Sequence, residues 1–251
     1  MAMSIIPSAQ IEPGKAMTAA KRVRATVRGL TVVDTHAPLL VWEHNRFPRY
    51  FARPEEIAGD LRPAGEADPS PALGACMSYD LVLADGTVLP GAAQRYPQAD
   101  DAAIRAAVGF QWSAFDTWLE EDEIVYVHAR DPYTRIDIQP SSRHVVVRYR
   151  GELLADTRRP TILFETGLPP RFYLPRSDVR MDLLHPSTMR TGCPYKGFAR
   201  YWSIVAGAGT LANAAWSYPM PLPEAIRVAG LISFWPEISR DLEIDVDDER
   251  I

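Results

Sequence analysis

Short apolar runs of strand length dominate the hydrophobic pattern of the chain. Residues 39–43 and 161–165 are continuous apolar runs that each end on a carboxylate, which is typical of buried central strands. Residues 198–206 and 212–218 predict two further strands joined by a glycine-containing turn, and 228–235 predicts a last apolar strand. The pattern therefore predicts a mainly β protein.

Two segments depart from this pattern and predict short helices. One is 100–109. The other, 178–184, has apolar residues at the spacing of a helical turn, with Ser177 as its N-cap. In that geometry Asp178 and Asp182 lie on one face of the turn.

The chain carries the same pattern twice, with a constant spacing of 122 positions between matching residues. Such self-similarity indicates a duplicated domain. The first-copy members are Gly29, Asp34, Pro38, Glu43, Pro48, Arg49, Asp60, Tyr79, Tyr96, Pro97, Ile104 and Arg105. The repeat predicts a mobile leader over 1–22, a first domain over 23–123, a linker over 124–140 and a second domain over 141–251.

Composition narrows the classes of function. The net charge is −5 and the 27 Lys and Arg residues form no basic block, so we expect no nucleic-acid partner. Apolar runs are too short for a membrane span, and the first ten residues lack the pattern of a secretory signal, so we expect a cytoplasmic protein. Two cysteines, Cys76 and Cys193, give neither a disulfide framework nor a zinc site.

The two copies differ most in the segment 191–197 of the second copy. At the constant spacing, Lys196 matches Gly74, and Trp202 and Trp216 match Asp80 and Gln94. This asymmetry predicts a ligand pocket in the second copy that the first copy has lost. Packing of the aromatic residues in the core explains the same residues equally well.

Cys193 and Lys196 are the candidate catalytic residues. A thiolate next to a cation becomes a nucleophile, and Lys196 follows Cys193 by three positions in a turn constrained by proline and glycine. The alternative is that Cys193 is a small buried apolar residue.

Charged residues around this segment offer two other kinds of site. Lys196, Arg171, Arg176 and Arg180 could form an anion site, or pair with neighbouring carboxylates. Asp178 and Asp182 could share a divalent cation, although capping or ion pairing fits two carboxylates better. We therefore assign no metal.

Residues 165–182, 193–197, 201–203 and 216–219 resemble the family of domain of unknown function 427 in its tandem form. The resemblance implies a compact β-tent-like domain in each copy and no established activity. The family sometimes bears a nucleotidyltransferase label, but the chain has no Gly-Ser plus Asp-x-Asp arrangement, and it lacks the Cys-x-x-Cys knuckles of zinc-binding β-tent relatives.

The sequence thus predicts that the second domain binds, or converts, a small anionic or aromatic metabolite. The alternative is a non-catalytic structural or partner-binding module. No cofactor or oligomeric state is assigned. Besides Cys193 and Lys196, the predicted ligand-binding residues are Arg171, Asp178, Arg180, Asp182, Tyr195, Tyr201, Trp216 and Tyr218.

Overall fold

The computed structural model describes residues 12–207 and 209–251. The chain divides into two compact units, with the boundary between Asp131 and Pro132. Both units consist mainly of β-strands with a few short helices. This confirms the prediction of a mainly β fold built from two tandem copies.

The first unit contains one long sheet and one short sheet. The long sheet has the strand order β1-β4-β5-β9-β8-β7-β6, and the short sheet has the order β11-β10-β2-β3. Its elements are β1 Ala16–Thr18, β2 Val23–Val27, β3 Leu30–Thr35, β4 Leu39–Val41, β5 Arg49–Ala52, β6 Asp60–Ser70, β7 Gly74–Val82, β8 Val88–Arg95, helix α1 Ala102–Ala106, β9 Val108–Phe110, β10 Thr117–Glu120 and β11 Glu123–Val125, with 3-10 turns at Pro54–Glu56 and Trp112–Ala114.

The second unit repeats this arrangement with three sheets. Their orders are β12-β15-β16, β17-β18-β19-β20 and β14-β13-β21-β22. Its elements are β12 Ile136–Pro140, β13 Val145–Tyr149, β14 Glu152–Thr157, β15 Thr161–Glu165, β16 Arg171–Tyr173, β17 Leu184–Cys193, β18 Gly197–Ala206, β19 Gly209–Ser217, β20 Ser233–Phe234, β21 Leu242–Val246 and β22 Glu249–Arg250, with 3-10 turns at Arg176–Asp178, Met181–Leu183, Pro223–Val228 and Pro236–Ile238.

A single bridge between Leu174 and Ile232 joins the first two of these sheets. The Leu174 amide donates to the Ile232 carbonyl at 2.7 Å, and the Ile232 amide donates to the Leu174 carbonyl at 2.9 Å. In the first unit the corresponding strands β5 and β9 pair over two residues. The two sheets are therefore the counterpart of the long sheet in the first unit.

Each unit has a large core and a smaller core. The large core contains Val23, Ala25 and Trp118 in the first unit, and Val145, Val147 and Ile244 in the second. The smaller core contains Val41, Phe51, Leu73, Cys76 and Tyr96 in the first unit; its second-unit counterpart contains Leu163, Tyr173, Ala199 and Tyr218. The smaller core is where the two units differ.

The first hairpin of each unit turns at an arginine followed by a glycine. Arg28 and Gly29 have φ values of 50° and 77°, and Arg150 and Gly151 have values of 50° and 82°. A two-residue turn with positive φ at both positions matches the twist of the flanking strands, and glycine adopts this φ without strain. Each pair of strands, β2 with β3 and β13 with β14, follows from this turn.

Several predicted elements differ in the structure. Residues 178–184 form no single helical turn but parts of two 3-10 turns, and Ser177 lies inside the first turn, whose N-cap is Pro175. Of residues 228–235, only Ser233–Phe234 form a strand, because Pro223–Val228 take up a 3-10 turn before it. In the segment 100–109, helix α1 ends at Ala106 and strand β9 begins at Val108.

Strands also extend into the segments predicted as leader and linker. Strand β1 lies within 1–22 and pairs with β4, so the folded part of the first domain begins earlier than Val23. Strands β11 and β12 take up both ends of 124–140. The part of the predicted mobile leader that covers residues 1–11 lies outside the described residues. Among the helices of the described part, none combines the length and the apolar character needed to cross a bilayer.

The strand pairing corrects the alignment of the two copies around the hairpin β17–β18. Cys193 pairs with Gly197 across this hairpin, and Ser70 pairs with Gly74 in the first unit. The turn 194–196 therefore corresponds to 71–73, and Lys196 is the counterpart of Leu73 rather than of Gly74. The local spacing is 123 positions.

The same shift applies along β18. Tyr201 pairs with Trp216 in the second unit, and Ser78 pairs with Gln94 in the first. Tyr201 is therefore the counterpart of Ser78, and Trp202 is the counterpart of Tyr79. The spacing returns to 122 on β19 because Trp202 lies 13 positions before its partner Ala215, whereas Tyr79 lies 14 positions before its partner Ala93.

Candidate functional site

A cavity of about 240 Å³ opens beside the smaller core of the second domain. Strands β15, β16, β18 and β19 and the turn 194–196 supply most of its walls. The lining residues are Leu163, Glu165, Leu168, Arg171, Tyr173, Lys196, Tyr201, Trp216, Tyr218 and Trp235. Five of the predicted site residues, namely Arg171, Lys196, Tyr201, Trp216 and Tyr218, thus line one cavity.

The Lys196 ammonium forms an ion pair with the Glu165 carboxylate inside this cavity. The two side chains are only 10% and 11% exposed. Lys196 is the last residue of the turn 194–196, and its carbonyl accepts a hydrogen bond from the Leu222 amide at 3.2 Å. Gly197 follows at φ 88°, a left-handed value that glycine adopts without strain. The tight turn therefore holds Lys196 over the end of β15.

Three aromatic rings form one wall of the cavity. The Trp216 indole N–H donates to the Tyr173 hydroxyl at 3.2 Å, and the two rings meet edge to face with centroids 6.2 Å apart. Tyr201 lies on the other side of Trp216, with a centroid distance of 6.5 Å, and its hydroxyl bonds to the Thr191 hydroxyl at 2.9 Å. The polar tips are therefore anchored while ring faces and edges line the cavity.

Arg171 lies at the more exposed side of the cavity. Its guanidinium forms two hydrogen bonds to Glu237, at 2.9 and 2.8 Å, and lies 5.9 Å from the centre of the Trp216 ring. Partial burial opposes ionisation of Glu237, but the bonds from Arg171 keep the pKa of this carboxyl below its usual value. The cavity therefore has two cations, each balanced by one carboxylate.

Two tyrosine hydroxyls in the cavity are neutral. Burial raises the pKa of Tyr173 and of Tyr218 above the ordinary value, and the negative charge of Glu165 acts in the same direction. Neutral phenols can donate hydrogen bonds to an oxygen atom in the cavity.

Cys193 and Tyr195 are close to the cavity but not among its lining residues. Cys193 is half-buried at the end of β17, and Tyr195 is half-buried in the turn. The predicted use of Lys196 as the activating cation for Cys193 is still a prediction. The carboxylate of Glu165 is the partner that the structure gives to Lys196.

The structure places Asp178, Arg180 and Asp182 away from the cavity. Asp178 accepts hydrogen bonds from the Arg159 guanidinium at 2.7 Å, from the Thr157 hydroxyl at 2.7 Å and from the Ser177 hydroxyl at 2.8 Å. The bond from Arg159, followed by that from Thr157, lowers the pKa of Asp178 well below its usual range. This carboxylate therefore fixes local structure.

The first domain has a similar contact at the position of Asp178. There Glu56 bonds to Arg53 and Thr35. The recurrence of a threonine and an arginine around this carboxylate supports a structural role in both copies.

Arg180 and Asp182 form an exposed ion pair with each other, with N–O distances of 2.9 and 2.6 Å. Both are exposed, and neither is among the lining residues of the cavity. Asp178 and Asp182 lie in two separate 3-10 turns rather than in one helical turn. The described residues contain no cluster of three or more His, Cys, Asp or Glu side chains that could hold a metal ion.

The residues of the first domain that correspond to the cavity of the second are arranged differently. The guanidinium of Arg49 pairs with Glu43 and donates to the Gln94 side-chain oxygen at 2.9 Å, the Phe110 carbonyl at 2.9 Å and the Tyr96 hydroxyl at 3.1 Å. Glu43, Arg49 and Tyr96 are the counterparts of Glu165, Arg171 and Tyr218. In the first domain the arginine itself thus occupies the polar centre.

Sequence reasoning did not single out five of the lining residues as site residues. These are Leu163, Glu165, Leu168, Tyr173 and Trp235. Glu165 carried a usable signal, because it ends an apolar run and recurs as Glu43. Tyr173 and Trp235 carried none, since their approach to the cavity depends on the curvature of the sheet and on the 3-10 turn after β20.

Fold and site together define a duplicated β-domain protein in which one copy has an aromatic cavity with a lysine–glutamate pair and the other has a polar centre built on an arginine. The sequence profile described as domain of unknown function DUF427 matches residues 15–121 and 137–249, and the chain therefore belongs to this family. Both copies match, as the tandem resemblance predicted. A comparison with curated proteins gives no match.

Proposed function

We propose that the second domain binds a small aromatic compound bearing an anionic oxygen group in the cavity beside Lys196. The observation that carries this proposal is the buried Lys196–Glu165 pair, which lies under aromatic walls in a cavity with free volume. Glu165 takes one of the three N–H donors of Lys196, and Arg171 has five. Donors therefore remain for a carboxylate or phenolate.

The size of the cavity supports a ligand with one ring. A cavity of ~150 Å³ holds a benzene molecule, so one of about 240 Å³ has room for a substituted ring. Trp216, Tyr201 and Trp235 provide surfaces for stacking. The charges of Arg171 and Lys196 are each met by a carboxylate, which keeps the unliganded cavity stable.

Titration of the full chain with benzoate, benzyl alcohol and benzylamine, followed by tryptophan fluorescence, tests the proposal. Trp216 and Trp235 line the cavity, so a ligand there changes the signal. We expect saturable binding with benzoate tightest. Trp216→Gln and Lys196→Leu, which install the first-domain residues, should each weaken binding about 30-fold.

Lys21→Leu is the matched control. It removes an exposed lysine that also pairs with a glutamate, Glu120, in the first domain, and it should leave the benzoate affinity unchanged. Absence of saturable binding for all three compounds, or equal affinity in the Lys196→Leu and unmodified chains, would contradict the proposal.

Conversion of the ligand is a stronger form of the proposal, with Cys193 as the nucleophile. It is supported by the half-buried thiol at the end of β17, three positions before Lys196. Alkylation of Cys193 in a Cys76→Ser background should then be faster than that of a model thiol at neutral pH. A rate equal to that of the model thiol would count against catalysis.

A partner-binding module is the second candidate function. One observation favours it: Met220 and Phe198, both next to Gly197, are 85% and 50% exposed. Trp202 and Trp235, whose exposure would also favour such a module, are half-buried. If the protein self-associates through this surface, the mass measured by light scattering should increase with protein concentration. Met220→Gln should reduce that increase.

A further inference from the structure

We propose that Lys196 is a nucleophilic amine that captures a small aromatic aldehyde or ketone as an imine inside the cavity. This inference rests on the proposed function for the ring-binding walls and adds a covalent step to it. Three observations support it: the choice of lysine at this position, the carboxylate beside it and the enclosure of both.

Lysine is rare in this chain, and one of its few lysines is buried. Lys15, Lys21 and Lys196 are the only lysines among the 27 Lys and Arg residues. Lys15 and Lys21 are exposed, whereas Lys196 is 8% exposed. Arginine would pair with a carboxylate through two parallel bonds and could not lose its proton. At the most buried cationic position of the second domain, the chain thus uses the cation that can become a nucleophile.

Glu165 supplies the acid and base that imine formation needs. Its carboxylate accepts a proton from the Lys196 ammonium, and the free amine lone pair then attacks the carbonyl carbon. The π electrons of the carbonyl move to oxygen, which takes the second proton of the nitrogen and gives a carbinolamine. The carboxylic acid of Glu165 then protonates the hydroxyl group, which leaves as water. The product is a protonated imine beside the Glu165 carboxylate, and no oxidant is required.

The surroundings of Lys196 favour formation of the imine over its hydrolysis. Tyr218, which lines the cavity and is buried, has a neutral hydroxyl that can donate a hydrogen bond to the carbonyl oxygen. The low exposure of the Lys196 and Glu165 side chains, 10% and 11%, limits the access of water to the imine. An aldehyde on an aromatic ring would use the same walls as the proposed ligand.

The test is reductive trapping on the full chain with benzaldehyde and sodium cyanoborohydride at neutral pH, followed by peptide mapping. The three lysines and the N-terminal amine fall on separable peptides. We expect one benzyl group, on Lys196, added about 100-fold faster than to acetyl-lysine amide in solution. Benzoate should compete with the labelling.

Two variants and one control define the roles. Lys196→Arg should abolish the adduct. Glu165→Gln should slow its formation about 100-fold, because neither proton transfer then has a local partner. Lys21→Arg replaces the exposed lysine of the other lysine–glutamate pair and should change nothing. Circular dichroism of each variant verifies folding, and the peptide map of the unmodified chain provides the test even if a variant fails to fold.

Labelling spread over Lys15, Lys21 and the N-terminus, with Lys196 no faster than acetyl-lysine amide, would overturn the inference. If benzoate binds while Lys196 stays unlabelled, the proposed function stands and the imine step fails. If benzoate neither binds nor competes while Lys196 is labelled rapidly, the reactive lysine stands and the anion proposal fails.

Discussion

The smaller cores of the two domains hold the same glutamate, arginine and tyrosine in two different arrangements. In the first domain Arg49 bonds to Glu43, and in the second Arg171 bonds to Glu237 while Lys196 takes Glu165. Two local differences account for this. Leu73 stands where the second domain has Lys196, and Ser113, by its place in the 3-10 turn, stands where the second domain has Glu237.

The two domains differ in which cation meets the buried glutamate. A buried carboxylate requires a cation, and the nearest available cation takes the position. When a lysine on a hairpin turn supplies that cation, the arginine is released to the rim. Tyr173 and Trp216, which stand where the first domain has Phe51 and Gln94, can then bond to each other. In the first domain Gln94 instead accepts a hydrogen bond from Arg49.

Replacing the two equivalent arginines, Arg49 and Arg171, should give the largest difference in stability between the two domains. Arg49→Met removes the partner of Glu43 and three further bonds, and should lower the free energy of unfolding of the first domain by about 3 kcal/mol. Arg171→Met removes a pair whose glutamate is 47% exposed, and should cost less than about 1 kcal/mol. Urea unfolding of the two variants measures both values, and equal costs would refute the assigned difference.

Two substitutions should give the second domain the arrangement of the first, in which the arginine pairs with the buried glutamate. Lys196→Leu alone leaves Glu165 without its cation and should cost about 3 kcal/mol. Adding Glu237→Ser frees Arg171 to turn to Glu165, so the double variant should regain about 1–2 kcal/mol while benzoate binding stays weakened. Unfolding in urea gives the coupling energy, and a crystal structure of the double variant locates Arg171. Strictly additive costs would show that Arg171 does not turn.

The smallest effect concerns the carboxylates that anchor equivalent positions outside the smaller core. The pKa of Asp178 is lowered mainly by Arg159 and Thr157, and that of Glu56 is lowered because bonds from Arg53 prevail over burial. A carboxyl with a lowered folded-state pKa stabilises the fold above the unfolded-state pKa of about 4, and this stabilisation is lost as the pH falls further.

Asp178→Asn should therefore lower the free energy of unfolding by about 1–2 kcal/mol at pH 7, and the difference from the unmodified chain should shrink below about pH 4. Glu56→Gln should show the same sign in the first domain. Thermal unfolding between pH 2 and 7 measures both, with Asp60→Asn as a control. A cost for Asp178→Asn that is independent of pH would contradict this account.

The β class and the duplication could be predicted because they depend on local pattern and self-similarity. Residues 161–165 and 198–206 gave strands because apolar runs of that length suit buried strands. The run 228–235 failed because Pro223 and its neighbours form a 3-10 turn that delays the strand to Ser233. Prolines fix backbone angles, but they do not specify which of several turns follows.

Local sequence features also indicated part of the candidate site. Trp216 was found because the copies differ there, Arg171 because it is charged, and Tyr201 because it belongs to a dense set of aromatic residues in the second copy. Asp178 and Arg180 were included because they are near in sequence, yet their partners Arg159 and Asp182 hold them outside the cavity. Which face of a strand carries a side chain depends on register, which a constant spacing between copies does not reveal.

The one-residue displacement of β18 has a consequence for reading other members of the family. Successive side chains on a strand point to opposite sides, so identity between Tyr79 and Tyr201 equates a side chain packed on the large core with one that lines the cavity. An ungapped comparison would transfer cavity residues to the wrong side of the sheet. The proline and glycine that flank the turn, Pro71 with Gly74 and Pro194 with Gly197, are the safer landmarks for deciding which relatives have the lysine.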